Sequence, residues 1–310
     1  MSAWAGQRVL VTGPTGFIGA RLTLRLIECG AEVWAGVHPS ELAGAAGLLP
    51  AGVRVAALEV QEPSSVRQAV DQAQPEVVFH LAAAGVSDRG IAARQALRVN
   101  VLGAVHLLEA LQPEAVRRVI LVGTCHEYGQ RETPEGLDPC DFYAASKAAA
   151  WAFGRAFWRA TGLPVVTVRL FQVYGPGQPE RMLVPAAIRA ALTGADFPTT
   201  PGEQQRDFIY ITDVVDGLLA AAQAAGVDGQ SLDLGTGVAQ PVRGVVERIW
   251  ELADAKGRAL MGALPYRQGE AMRLVADADR TAALTGWRAR TGLDLGLRQT
   301  IYECSRAVAR

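Results

Sequence analysis

The feature that most constrains this chain is a glycine-spaced turn, Thr12-Gly13-Pro14-Thr15-Gly16-Phe17-Ile18-Gly19. It lies between an apolar run, Arg8 to Thr12, and a helical pattern that carries Leu22, Leu24, Leu26 and Ile27 to Gly30. A strand that hands over to a helix through a turn without Cβ atoms exposes backbone N–H groups at a helix N-terminus. That is where a dinucleotide pyrophosphate binds. Gly13 and Gly16 make the turn, and Gly19 lets helix and strand pack closely. Thr15, Phe17 and Ile18 complete the candidate cofactor cradle.

The pattern then repeats. Strand-like runs at Glu32 to Val37, Arg54 to Leu58, Glu76 to Leu81, Arg118 to Val122 and Val165 to Leu170 alternate with helix-like ones. Among the latter are Ala93 to Leu111, closed by Pro113, and Phe142 to Ala160, closed by Gly162 and Pro164. This order predicts an α/β fold, a parallel sheet covered on both faces. Past Tyr174 the character changes. Gly175-Pro176-Gly177 marks a loop, Leu183 to Leu192 and Pro241 to Ala253 read as helices, and Asp207 to Tyr210 and Ser231 to Leu234 as short strands.

Half of the 310 residues are hydrophobic, enough for one large core or two coupled ones. With 30 basic against 31 acidic side chains, no net field gathers nucleic acid or an anionic membrane. No apolar run reaches the length of a membrane span, and no export leader is visible, so a soluble cytoplasmic protein is expected. Cys29, Cys125, Cys140 and Cys304 and the four histidines are scattered without metal-site spacing, so reduced thiols and no metal are expected.

Cofactor choice is made at the end of the second strand, where an acid binds the adenosine 2'-hydroxyl and repels a 2'-phosphate. The sequence there is Ala35-Gly36-Val37-His38-Pro39-Ser40. It has no acid, and His38 and Ser40 could donate to a phosphate. This favours NADP, with NAD as the alternative.

The glycine turn is followed in order by His80-Leu81-Ala82-Ala83, Asn100-Val101-Leu102-Gly103 and Tyr143-Ala144-Ala145-Ser146-Lys147. Further on come Arg169 to Pro176, Gln205 to Asp213, Leu234-Gly235-Thr236-Gly237 and Gly286-Trp287. Together they resemble the extended short-chain dehydrogenase/reductases, the epimerase/dehydratase family, over nearly the whole chain. The resemblance implies a Rossmann doubly wound parallel sheet with a smaller C-terminal α/β substrate-binding domain. Residues 1–172, with 206–236 returning, would hold the cofactor, and 173–205 with 237–310 a nucleotide-diphosphate sugar. Leu81, Ala82 and Ala83 would line the cofactor. A homodimer through the helices at Ala93 to Leu111 and Phe142 to Ala160 is also implied.

Tyr143 and Lys147 stand four apart on one helix face. An ammonium one turn from a phenol favours the phenolate and so makes an acid-base catalyst that works near neutrality. By the resemblance, Lys147 also holds the nicotinamide ribose, and Thr124 hydrogen-bonds the same substrate oxygen as Tyr143. Cys125 and His126 stand where the family's 4,6-dehydratases carry an acid pair. A thiol is a poor acid for a hydroxyl leaving group, although His126 could act as a base. By the resemblance, Arg206 meets the substrate diphosphate, a guanidinium fork suiting two phosphate oxygens, and Gln172 stands where the family often has an Asn beside it; Arg267 is a second candidate arginine. The expected function is reduction of a 4-keto(-6-deoxy) sugar at C4. The alternatives are a 4-epimerase with bound NAD, an atypical dehydratase using His126, and a cofactor-binding regulator without chemistry.

Overall fold

A computed structural model describes residues 2–45, 47–86, 90–130 and 136–308. Six strands appear in chain order as β1 (Arg8–Thr12), β2 (Glu32–Val37), β3 (Arg54–Ala57), β4 (Val77–His80), β5 (Arg118–Thr124) and β6 (Val165–Leu170). With the strand Ser231–Leu234 they form a seven-stranded sheet in the order Ser231–Leu234, β6, β5, β4, β1, β2, β3, and every pairing is parallel. Successive β1 side chains enter opposite cores, as a pleated strand requires. Val9 and Val11 pack with Leu22 and Leu26 of the helix Phe17–Glu28 and with Val214 and Leu218 of the helix Ile211–Gln223. Leu10 packs instead with Val66, Leu107 and Leu121 on the other face. The chain crosses from one side of β1 to the other between β3 and β4, so the C-terminal ends of β1 and β4 flank the topological switch point where such sheets bind ligands.

A second apolar cluster contains Tyr174, Val184, Ile188, Val246, Ile249 and Leu297. It is built by the helices Leu183–Thr193, Val242–Leu252 and Leu293–Val308. Phe17 and Ile18, at the start of the first helix, pack against it. Beside it a three-stranded sheet joins Gln240–Pro241, Gln205–Arg206 and Arg273–Leu274.

Three expected elements differ. The helix expected from Ala93 to Leu111 is α-helical over Ala93–Ala96 and Gly103–Ala110 but π-helical over Leu97–Leu102, where Asn100 reaches out of the helix to bond two other segments. The strand expected from Asp207 to Tyr210 is two short strands, Gln205–Arg206 and Phe208–Tyr210, parted at Asp207. The buried Asp207 carboxylate accepts from Thr236 N and Thr236 Oγ1, both at 2.7 Å, and from Gly237 N at 2.8 Å, which turns the chain there. β5 runs two residues further than expected, so Thr124 ends the strand instead of following it. Among the described residues no helix is long and apolar enough to cross a membrane, and the four cysteines form no disulfide.

Candidate active site

The glycine turn has the shape that a bound pyrophosphate demands. Gly13 adopts φ +67°, and a Cβ there would lie 2.9 Å from Ala82 N, so the segment after β4 runs against the turn. A Cβ on Gly19 would collide with the Gly13 carbonyl oxygen. Gly16 caps the helix Phe17–Glu28 with no side-chain bond, so backbone N–H groups of the first turn are left for an anion. Leu81, Ala82 and Ala83 line the half-buried segment beside this turn, and Ala82 N donates to Thr12 Oγ1 at 3.1 Å. On these grounds the residues fit a nicotinamide dinucleotide.

The adenosine end is more acidic than the sequence suggested. Val37 ends β2 without a charge, but His38 Nε2 lies 2.6 Å from Glu59 Oε2, and His38 Nδ1 is bonded to Ser40 Oγ at 2.7 Å. Both candidate donors to a phosphate are therefore already engaged. Burial opposes ionisation of Glu59, but bonds from Gln61 and His38 hold its carboxyl below the usual range. Glu41, in the short turn Pro39–Glu41, folds back over the glycine turn and accepts from Thr15 Oγ1 at 2.7 Å.

Tyr143 and Lys147 occupy the first two turns of the helix Phe142–Thr161, capped by Asp141, whose Oδ1 accepts from Ala144 N at 2.7 Å. Both are buried, as is Thr124. Burial pulls the Lys147 ammonium down to about 8, and the Glu127 carboxylate opposes that fall. Lys147 also acts on His80, which burial first and Lys147 second hold down to about 3, so this histidine is neutral. Asn100 secures the same helix from behind. Its Nδ2 donates to Ser146 Oγ at 2.8 Å and to Ala84 O at 3.0 Å, while its Oδ1 accepts from Ala84 N at 2.8 Å.

After Thr124 the chain makes a 3-10 turn, Cys125–Tyr128, held by a capping box. Thr124 Oγ1 accepts from His126 N at 3.3 Å, and Glu127 Oε1 accepts from Thr124 N at 2.8 Å. Cys125 is 1% exposed and packs with Tyr128, Phe171, Ala271, Leu274 and Ala276. His126 is half-buried.

At the substrate end Arg206 is buried, ion-paired with Glu270, and donates from Nη1 to Gln205 O at 2.8 Å. Arg267 is exposed on the turn that leads to Glu270, where Glu270 N donates to Arg267 O at 3.2 Å. A Cβ on Gly269 of that turn would lie 3.3 Å from Cys140 Cβ, so the turn abuts the entry to the Tyr143 helix. Gln172 is half-buried and pairs with Phe208 between short parallel strands. Among the described residues no group of His, Cys, Asp or Glu has the arrangement of a metal site.

Asn100, Glu127, Glu41 and Glu59 were not picked out as site residues from the sequence. The Thr124-x-x-Glu127 spacing of a capping box was the available signal for Glu127. The others act through long-range contacts that leave no local pattern.

The family model described as NAD dependent epimerase/dehydratase matches residues 9–235. A probable dTDP-glucose 4,6-dehydratase of Sinorhizobium fredii is 30% identical, over 95% of this chain and 92% of that protein. The structure of MoeE5 in complex with UDP-glucose and NAD superposes with a TM-score of 0.85 at 32% identity, covering 98% of this chain and 100% of that one. The UDP-glucose 4-epimerase of Thermotoga maritima, crystallised with UDP-glucose, gives 0.86 at 26% identity, covering 97% and 99%. The chain is an enzyme that belongs to the NAD dependent epimerase/dehydratase family.

Proposed function

We propose that this enzyme is a 4-epimerase of a nucleotide-diphosphate hexose and works with a retained NAD. The observation that carries the reading is a centre in which, among the described residues, Tyr143 and Lys147 form the acid-base couple and the position after Thr124 holds a thiol in place of an acid. Tyr143 and Lys147 are buried together near the strand end at Thr124, while position 125 carries a thiol sealed in an apolar cluster. Such a centre can move a proton at one hydroxyl oxygen, and the thiol at position 125 is a poor acid for expelling a hydroxyl group as water. Relatives whose structures hold UDP-glucose with NAD support the substrate class.

Bound NAD supplies hydride acceptance and return. Tyr143 takes the proton from the sugar hydroxyl as hydride leaves the carbon and gives it back on the return. Lys147 supplies an ammonium one helical turn from the phenol, and Thr124 donates its hydroxyl proton to the same oxygen. Arg206 and Arg267 meet the diphosphate.

The acids at the adenosine end argue for NAD. A 2'-phosphate beside Glu41 and Glu59 would face two carboxylates, and His38 is already bonded to one of them. This reverses the preference for NADP drawn from the strand end alone. A reductase that consumes NADPH is disfavoured with it, and Glu127 and Tyr128 are spent on a buried network. Exposed Leu97, Leu102, Phe142 and Phe153 on the two expected dimer helices suit burial against a second copy, which sedimentation would detect as twice the chain mass.

The test is to denature the purified protein and measure released NAD, then incubate the native enzyme with UDP-glucose and analyse the sugars. Stoichiometric NAD and conversion to the C4 epimer are expected, with Tyr143→Phe slowing turnover about 100-fold or more. An empty site that binds NADPH more tightly than NADH would refute the reading.

A further inference from the structure

A pair of buried ions stands behind the proposed chemistry without taking part in it. Glu127 is 0% exposed. Its Oε2 accepts from Arg169 Nε at 2.7 Å while Oε1 accepts from Thr124 N. The strand is shaped around this carboxylate, since a Cβ on Gly123 would collide with Glu127 Oε1.

Arg169, on β6, is equally enclosed. Its guanidinium carbon lies 4.9 Å from the Tyr128 ring centroid and 5.3 Å from that of Trp151. Trp151 follows Tyr143 and Lys147 at four-residue steps on one face of the same helix. One guanidinium therefore touches the strand end of Thr124 through Glu127 and the helix of Tyr143 and Lys147 through Trp151. Tyr128 extends the chain, accepting from Arg169 Nη1 at 3.3 Å and donating to Asp233 Oδ1 at 2.7 Å. Burying two charges costs several kcal/mol of desolvation for each ion, and apolar side chains of the same volume would fill this space as well or better. Packing alone does not account for the pair.

We propose that Glu127 and Arg169 are positioning residues for the reaction: their ion pair fixes Thr124 against the helix of Tyr143 and Lys147, which the Cys125–Tyr128 turn itself touches. The same carboxylate opposes the fall that burial imposes on the Lys147 ammonium. The inference rests on the proposed function only in naming these three groups catalytic. Among the described residues, the groups tied electrostatically to Lys147 are neutral His80 at the end of β4 and Glu127 after β5, with Arg169 behind it. Glu127 is the carboxylate among them. Made neutral, it would leave burial of Lys147 unopposed, and the lysine would shed its proton at lower pH.

The chain has two lysines, Lys147 and the exposed Lys256, so a protein labelled with [13Cε]-lysine gives two resonances whose titration is read directly. Lys256→Arg assigns them. In the unaltered protein the Lys147 resonance should titrate with a midpoint near 8. In Glu127→Gln that midpoint should fall by about one unit or more, a tenfold change in proton affinity, with Lys256 unmoved. Turnover of UDP-glucose at pH 7 should drop about tenfold or more with KM within about threefold, as expected for a group acting only in the transition state. Glu127→Asp should recover part of both.

If Glu127→Gln alone does not fold, Glu127→Gln with Arg169→Met removes both charges, and the Lys147 midpoint should still be lowered. An unmoved Lys147 midpoint in whichever folded variant is measured overturns the proposal. A shifted midpoint in a protein that epimerises no nucleotide sugar would sustain the electrostatic role and sink the proposed function instead.

Discussion

Thr12 Oγ1 and His80 Nδ1 are hydrogen-bonded at 2.8 Å across the C-terminal ends of the paired strands β1 and β4. The same hydroxyl accepts from Ala82 N at 3.1 Å, so Thr12 ties the segment after β4 to the His80 ring. Burial and the Lys147 charge hold His80 down to about 3. An ordinary histidine in the unfolded chain takes its proton near 6.5. Between these values the unfolded chain binds the proton and the folded one does not. Stability is therefore intact above pH 6.5 and falls as pH drops towards 3, by about 3 kcal/mol at pH 4. Urea midpoints at pH 7 and pH 4 should differ less in His80→Asn than in the unaltered protein. Equal differences would show that His80 does not cause the acid sensitivity.

Two glycines contrast in what a methyl group would meet. At Gly19 a Cβ collides with the Gly13 carbonyl, whereas at Gly44 it meets open space. Gly19→Ala should cost about 1–3 kcal/mol and weaken NAD binding about tenfold or more, by pushing the first helix off the turn. Gly44→Ala should change stability by no more than about 0.5 kcal/mol. Thermal melts and an NAD titration check both, and similar effects at the two positions would contradict the close helix–strand approach.

Removing the side chain of the buried Asn100 leaves the N–H and C=O of the half-buried Ala84 and the buried Ser146 hydroxyl each one bond short. Asn100→Ala should destabilise the protein by about 2–4 kcal/mol on the usual cost of unsatisfied buried groups. Turnover should fall with it, because Ser146 lies one residue from Lys147. A melt within 1 °C of the unaltered protein would show the π-turn to be held by something else.

Glu41 reaches Thr15 from a turn four residues beyond the strand end. Glu41→Arg exchanges a repelling charge for a guanidinium suited to phosphate and should raise the NADP-to-NAD affinity ratio about tenfold or more. Quenching of tryptophan fluorescence by each oxidised dinucleotide measures this. No change in the ratio would place Glu41 outside the adenosine site.

The sequence by itself determined the sheet and the turn. β-branched runs alternating with amphipathic helices are local patterns, and Gly13 to Gly19 state the backbone requirement of a phosphate turn in the residues themselves. The four-residue step from Tyr143 to Lys147 was equally legible, because helix geometry turns spacing into a shared face. What only the tertiary structure decided was charge and register. The strand-end sequence at Val37 has no acid, yet β3 brings Glu59 to His38 and a 3-10 turn brings Glu41 to Thr15. Asn100 bends its helix into a π-turn because its partners, Ala84 and Ser146, lie on other segments. Glu127 and Arg169 are 42 positions apart and meet because β5 and β6 are neighbours in the sheet. Electrostatic and hydrogen-bonding partnerships act through space, and a linear pattern records only those that a single element's own geometry creates.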